Sequence, residues 1–209
     1  MTHPTIPHDT QYLRHKADID RWFAAHEARL DGAPGLERIT WRNPNTSQHA
    51  MTFTLSGNMV FVAGDLYASV YDLRHPATRA TLAGMSFDYF TSKLRLSEQG
   101  ETEYDEKTAV AHFDELVAST NIPHVLVADT RALLAGDGSG DLPLELELSQ
   151  LVDAWLDEHG VTASDVDWYH DYDDATTHAL RAGEVPTIHT EAHWLGLQYA
   201  LAALNEKGA

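Results

Sequence analysis

Two histidines four residues apart, in His189-Thr-Glu-Ala-His193, are the first residues whose types and spacing suggest chemistry. On a helix, positions i and i+4 point the same way, as two nitrogen ligands of one zinc ion must. The order differs from the zinc-protease pattern, in which glutamate directly follows the first histidine. Pro186 and Thr187 stand where the chain enters this helix, so His189 can precede its first turn. His193 falls in line with Leu197, Ala200 and Leu204. A partly buried histidine near a helix start explains the pair without a metal. A second row, His170, Asp174 and His178, falls at i, i+4 and i+8 and would offer nitrogen and oxygen ligands on one face. A metal held there, or by His189 and His193, would activate water, and a metal-dependent hydrolase of phosphoesters or nucleotides is the alternative reading of the chain. Thirteen histidines in 209 residues make chance pairs common, and a solvated acidic face explains the second row more simply.

Other chemistry finds less support. Asp137-Gly-Ser-Gly-Asp141 resembles the start of a calcium loop, but the sixth and twelfth positions, which need glycine and glutamate, hold Leu142 and Leu148. No G-x-S-x-G nucleophile turn, P-loop or dinucleotide glycine fingerprint occurs, so no cofactor is implied. Asp65 in Gly64-Asp65-Leu66 ends a strand, where carboxylates often act, yet the sequence places no partner beside it. The absence of cysteine excludes disulfides, thiolate metal sites and a cysteine nucleophile.

The elements that would position these residues read as α+β. Residues 1–16 form a polar, proline-spaced lead-in, and the N-terminal sequence lacks the apolar core of a secretory signal. Helical spacing from Asp18 to Leu30 aligns Ile19, Trp22, Phe23, His26 and Leu30, and Asp31–Gly35 stops it. Four strands follow, Glu37–Arg42, Ala50–Leu55, Met59–Ala63 and Tyr67–Tyr71, with Ser56-Gly57-Asn58 as a hairpin turn. This is an antiparallel meander in the first third. Helices dominate thereafter: Ser86 capping one through Leu96, then Glu103–Ser119, about 145–158, about 165–180, and Thr190–Glu206. Val125–Val127 suits a strand or the start of a short helix. One domain is expected over 1–209, with possible subdomains 17–135 and 141–209 hinged at the glycine-rich 136–140. Apolar runs are too short to cross a bilayer.

Charge separates the second half from the first. The chain carries 32 acidic and 14 basic residues, a formal net charge of −18, so direct nucleic-acid binding is not expected. Between Arg131 and Arg181 lie 12 carboxylates and no lysine or arginine. Surfaces normally mix signs to limit self-repulsion, and a single-sign surface makes sense if it meets something basic. Asp153, Asp157, Asp167, Asp171 and Asp174 are the expected partner-binding carboxylates, with Trp168 and Tyr172 as aromatic anchors. A merely solubilising acidic surface is the plain alternative.

The block Gly64-Asp65-Leu66, Val70-Tyr71, Phe87-x-Tyr89-Phe90-x-Ser92-Lys93 and Ser97-Glu98 resembles a group of uncharacterised proteins encoded by bacteriophages and prophages. Gly196-Leu197-x-x-Ala200 resembles their closing helix. The resemblance covers about residues 50–100 and 196–200, leaves out the acidic stretch and carries no active-site residues. It implies an accessory protein acting in the host bacterial cytoplasm. Joined to the acidic surface, it leads to the expectation of an anti-defence protein, anti-CRISPR-like. Such a protein would bind a basic, nucleic-acid-binding host effector by mimicking nucleic acid.

Overall fold

The computed structural model describes residues 13–98, 100, 102–136 and 142–208. The chain divides into two compact units, one of residues 1–101 and 186–209, the other of residues 102–185. The division does not fall at the glycine-rich 136–140, most of which, with Asp137–Asp141, lies outside the described residues.

The first unit is built on a six-stranded antiparallel meander in sequential order. Its strands are β1 (Glu27–Ala33), β2 (Leu36–Arg42), β3 (Met51–Ser56), β4 (Met59–Gly64), β5 (Ser69–Asp72) and β6 (Leu94–Ser97). Strict alternation makes the sheet two-sided. In β3, Met51, Phe53 and Leu55 are buried while Thr52 and Thr54 are not. In β4, Val60 and Val62 point inward and Phe61 stays 41% exposed. Against the inner face lies α8 (Ile188–Gly208), which also touches α1 (Lys16–Phe23), α2 (Arg79–Ala83) and α3 (Phe87–Thr91). Residues 190–201 of α8 are all buried, because the sheet takes one side of the helix and the short helices take others.

Three expectations change here. The helical spacing assigned to Asp18–Leu30 holds only to Phe23. Ala28 and Leu30 belong to β1, which pairs residue for residue with β2 from Glu27↔Arg42 to Ala33↔Leu36. Leu30 fits both a period of 3.6 and a period of 2, and the pairing decides. The Asp31–Gly35 segment is accordingly a hairpin end, with Gly32 and Gly35 at positive φ. The helix begun at Ser86 ends at Thr91, and Leu94 and Leu96 go instead into edge strand β6.

The second unit is mainly helical: α4 (Glu106–Val117), α5 (His124–Leu134), α6 (Leu144–His159) and α7 (Tyr169–Gly183). A two-stranded ladder, β7 (Thr102–Tyr104) with β8 (Glu184–Pro186), ties its two ends together. Val125–Val127 is therefore helical. The expected start at Ser164 is a 3-10 turn, Ala163–Asp165, capped by Thr162, and α7 begins at Tyr169. Two clusters form the core, one around Phe113, Leu148 and Ala179, the other around Leu126, Val152 and Tyr172.

Gly64 sets the corner that follows β4. Its φ of 140° suits glycine, and a Cβ there would collide with the carbonyl oxygen of Ala50. Gly64→Ala is expected to lower the stability of the first unit by on the order of 3 kcal/mol, read from denaturant midpoints followed by tryptophan fluorescence.

Candidate functional site

Polar groups on a helix buried on all sides must find partners within the protein. The His189–His193 segment of α8 does so. His193 is 2% exposed; its Nε2–H donates to the carbonyl of Leu66 at 2.7 Å, and its Nδ1 accepts the Tyr71 hydroxyl at 3.0 Å. Both nitrogens are committed, which leaves none to face a metal. Burial holds the imidazole neutral, its pKa pushed down to about 4. His189 meets the Tyr67 ring edge-on with centroids 4.8 Å apart. Glu191, between them, is 1% exposed and accepts the backbone N–H groups of Arg14 at 3.0 Å and His15 at 2.9 Å. Burial pushes its carboxyl up, against the pull of those two donors. Further along α8, the Tyr199 hydroxyl donates to Asp20, which also pairs with Lys16.

Asp65 is equally accounted for. Its carboxylate accepts the His49 N–H at 3.0 Å and its own N–H donates to the Ala50 carbonyl, closing the corner around Gly64. Aromatic residues of α3 pack against β5 and α8. Phe90 stacks on Tyr71 with centroids 4.0 Å apart, Phe87 meets Trp194, and Lys93 lies over the Tyr89 ring. A side chain at Gly196 would strike Met51 and crowd Phe23. Of these, the Phe87–Trp194 contact and the close approach at Gly196 involve α8. The sequence assigns no role to Glu191; its signal is a carboxylate between the two histidines in a helix whose following turns are mostly apolar.

In the second unit, Asp153 and Asp157 on α6, Asp167 before α7, and Asp171 and Asp174 on α7 are all exposed. None pairs with a lysine or arginine among the described residues. His170 and His178 are exposed on α7 with Asp174. Among the described residues no group of three or more histidine or carboxylate side chains could hold a metal ion. Trp168 is half-buried, edge-on to Trp155 at 5.1 Å. Tyr172, expected as a surface anchor, is 3% exposed, and its hydroxyl is bonded to Thr130 at 2.9 Å. It is a core residue, because position 172 faces Leu126 and Val152 while Asp171, Asp173 and Asp174 face water.

The division into units is also a division of charge. Residues 1–101 and 186–209 hold 13 acidic and 11 basic residues, a net −2. Residues 102–185 hold 19 acidic and 3 basic residues, a net −16. Of those three cations, Arg131 is paired with Asp114 at 2.6 Å. Among the described residues no helix is long and apolar enough to cross a membrane. Comparison with family models, curated protein sequences and solved structures found no match to the chain.

His193 and Glu191 set opposite pH dependences in the first unit. The unfolded histidine takes up a proton near pH 6.5 while the folded one resists until about 4, so acidification across that window costs about 3 kcal/mol of stability. Glu191, with its pKa raised in the fold, binds a proton more readily there than in the unfolded chain and returns part of that loss. Denaturation measured against pH should show a steeper acid loss in Glu191→Gln and a shallower one when His193 is replaced. In the second unit, Tyr172→Phe is expected to cost about 1 kcal/mol in unfolding, read from denaturant midpoints, because it removes the bond to Thr130.

Proposed function

We propose that the protein is a phage-encoded accessory protein that inhibits a bacterial defence system by binding. Its acidic helical unit would occupy the nucleic-acid site of a basic host effector in the bacterial cytoplasm. The observation that carries this is the net charge of −16 on residues 102–185, with Asp153, Asp157, Asp167, Asp171 and Asp174 exposed and unpaired with any lysine or arginine among the described residues. Carboxylates at i and i+4 stand about 6 Å apart along a helix axis, roughly half the linear charge density of one DNA strand. Asp153 and Asp157 on α6 have that spacing and Asp171 and Asp174 on α7 stand three residues apart, so two helices each present carboxylates that compete for a phosphate-binding groove. Steering by that charge makes the encounter fast and strongly salt-dependent. The phage context rests on the resemblance of the Gly64–Glu98 block.

The test is a pull-down from bacterial lysate with the intact protein and with a variant carrying Asp→Asn at positions 153, 157, 167, 171 and 174. The intact protein is expected to retain basic nucleic-acid-binding proteins that are released by high salt and by competing duplex DNA. The variant should retain little of them. Equal recovery by both proteins would remove the proposal.

A further inference from the structure

The second unit carries more than a charged exterior. Helix α7 packs along α4 and α6 packs along α5, while α6 and α7 touch each other only sparingly. Between them lies a groove over the buried Leu148, Val152, Tyr172 and Thr176, with the half-buried Leu180 and the carboxylates Glu145 and Asp173 also lining it. At its end, Glu145 and Leu180 also line a hollow of about 340 Å³ that is walled by Tyr104 and Leu144 and bordered by Glu106 and Glu184. That volume accepts a large aliphatic or aromatic side chain. Tyr104 is 37% exposed there and Leu146, on the same helix as Leu144, is 44% exposed.

The lining carries four carboxylates and no lysine or arginine. Glu106 and Glu145 stand in the first turns of α4 and α6, where the positive helix ends already favour acid. Asp173, within α7, and Glu184, at the start of β8, have no such account. An apolar floor between acidic borders is complementary to one kind of ligand: a peptide segment that presents aliphatic or aromatic side chains flanked by lysine and arginine. A nucleic acid is repelled by the borders, and a purely polar cationic surface leaves the exposed ring of Tyr104 and the half-buried Leu144 and Leu180 in water.

We infer that the groove between α6 and α7 and its terminal hollow bind a basic amphipathic peptide segment of the partner. This inference rests on the proposed function and specifies what the partner presents. The exposed aspartates draw the partner in, and the groove takes its apolar anchors out of water, so affinity depends on both charge and apolar area.

The experiment compares two short labelled peptides of identical charge. In one, leucines are flanked by lysine and arginine; in the other, each leucine is replaced by serine. Binding to the unaltered protein at low salt is followed by fluorescence anisotropy, and the contact surface is mapped by backbone amide chemical shifts. The leucine peptide should bind about tenfold or more tightly than its serine twin. Its shift changes should concentrate at Tyr104, Leu144, Leu148 and Leu180, and Tyr104→Ser should narrow the gap between the peptides. Equal binding of the two peptides would overturn the groove as an anchor site and leave the acidic-surface reading standing. Failure of both peptides to bind at low salt would overturn that reading as well.

Discussion

The first unit depends on the need to satisfy polar atoms on a helix that no water reaches. Helix α8 is buried from Thr190 to Ala200, and it carries Glu191, His193, Trp194, Gln198 and Tyr199 into that environment. Each reaches a fixed acceptor or donor: Leu66 and Tyr71 for His193, Met85 for Trp194, Leu82 for Gln198, Asp20 for Tyr199, and the backbone entering α1 for Glu191. An unpaired buried group costs roughly 1–3 kcal/mol, so these contacts fix the rotation and depth of α8 against the sheet. Helix α2, through the Leu82 carbonyl, and the turn before α3, through the Met85 carbonyl, then take up the positions these bonds require. The Gly64–Leu66 corner is held for the same reason, since it supplies one of the two partners of His193.

The second unit solves a different problem. Its core is ordinary, built from Phe113, Leu126, Leu148, Val152 and Ala179, but its surface carries little compensation for 19 carboxylates. In the first unit, acids and bases pair on the surface, as in Arg79–Glu37, Arg38–Asp31 and Arg95–Asp72. Each exposed pair contributes little to stability. Their broader effect is to keep the local field near zero, which the helical unit does not do. A field of one sign costs self-repulsion in isolation and is relieved by a cationic surface.

Much of this was legible in the sequence, for reasons that can be named. Strand β3 announces itself through Met51, Phe53 and Leu55 alternating with threonines, and α6 through Leu148, Leu151, Val152, Trp155 and Leu156 at helical spacing. Segments that fit two periods were misread. Leu30 fits a helix stripe and a strand face alike, and only cross-strand pairing with Ile39 separates them. Leu94 and Leu96 extend the spacing begun at Ser86, yet β5 captures them. At the level of sites, the exposure of Asp153, Asp157, Asp171 and Asp174 follows from helix periodicity, whereas the burial of Tyr172 depends on α5 supplying Thr130. The pairing of His193 with Tyr71 and Leu66 spans more than 120 residues of chain and leaves no local signature.

The β7–β8 ladder has a consequence for the order in which the protein is made. It joins the two ends of an insertion, so the helical unit is contiguous in sequence while the sheet unit is not. As the chain leaves the ribosome, β1 to β6 emerge first but lack α8, the element that covers their apolar inner face. The acidic helices emerge next with every element of their own core present, and domains fold as units during synthesis. The insertion therefore completes its fold before its host does. During that interval the inner face of the sheet, with Phe53, Val60 and Tyr71, has no α8 over it, and the helical segment next in the chain carries a net charge of −16.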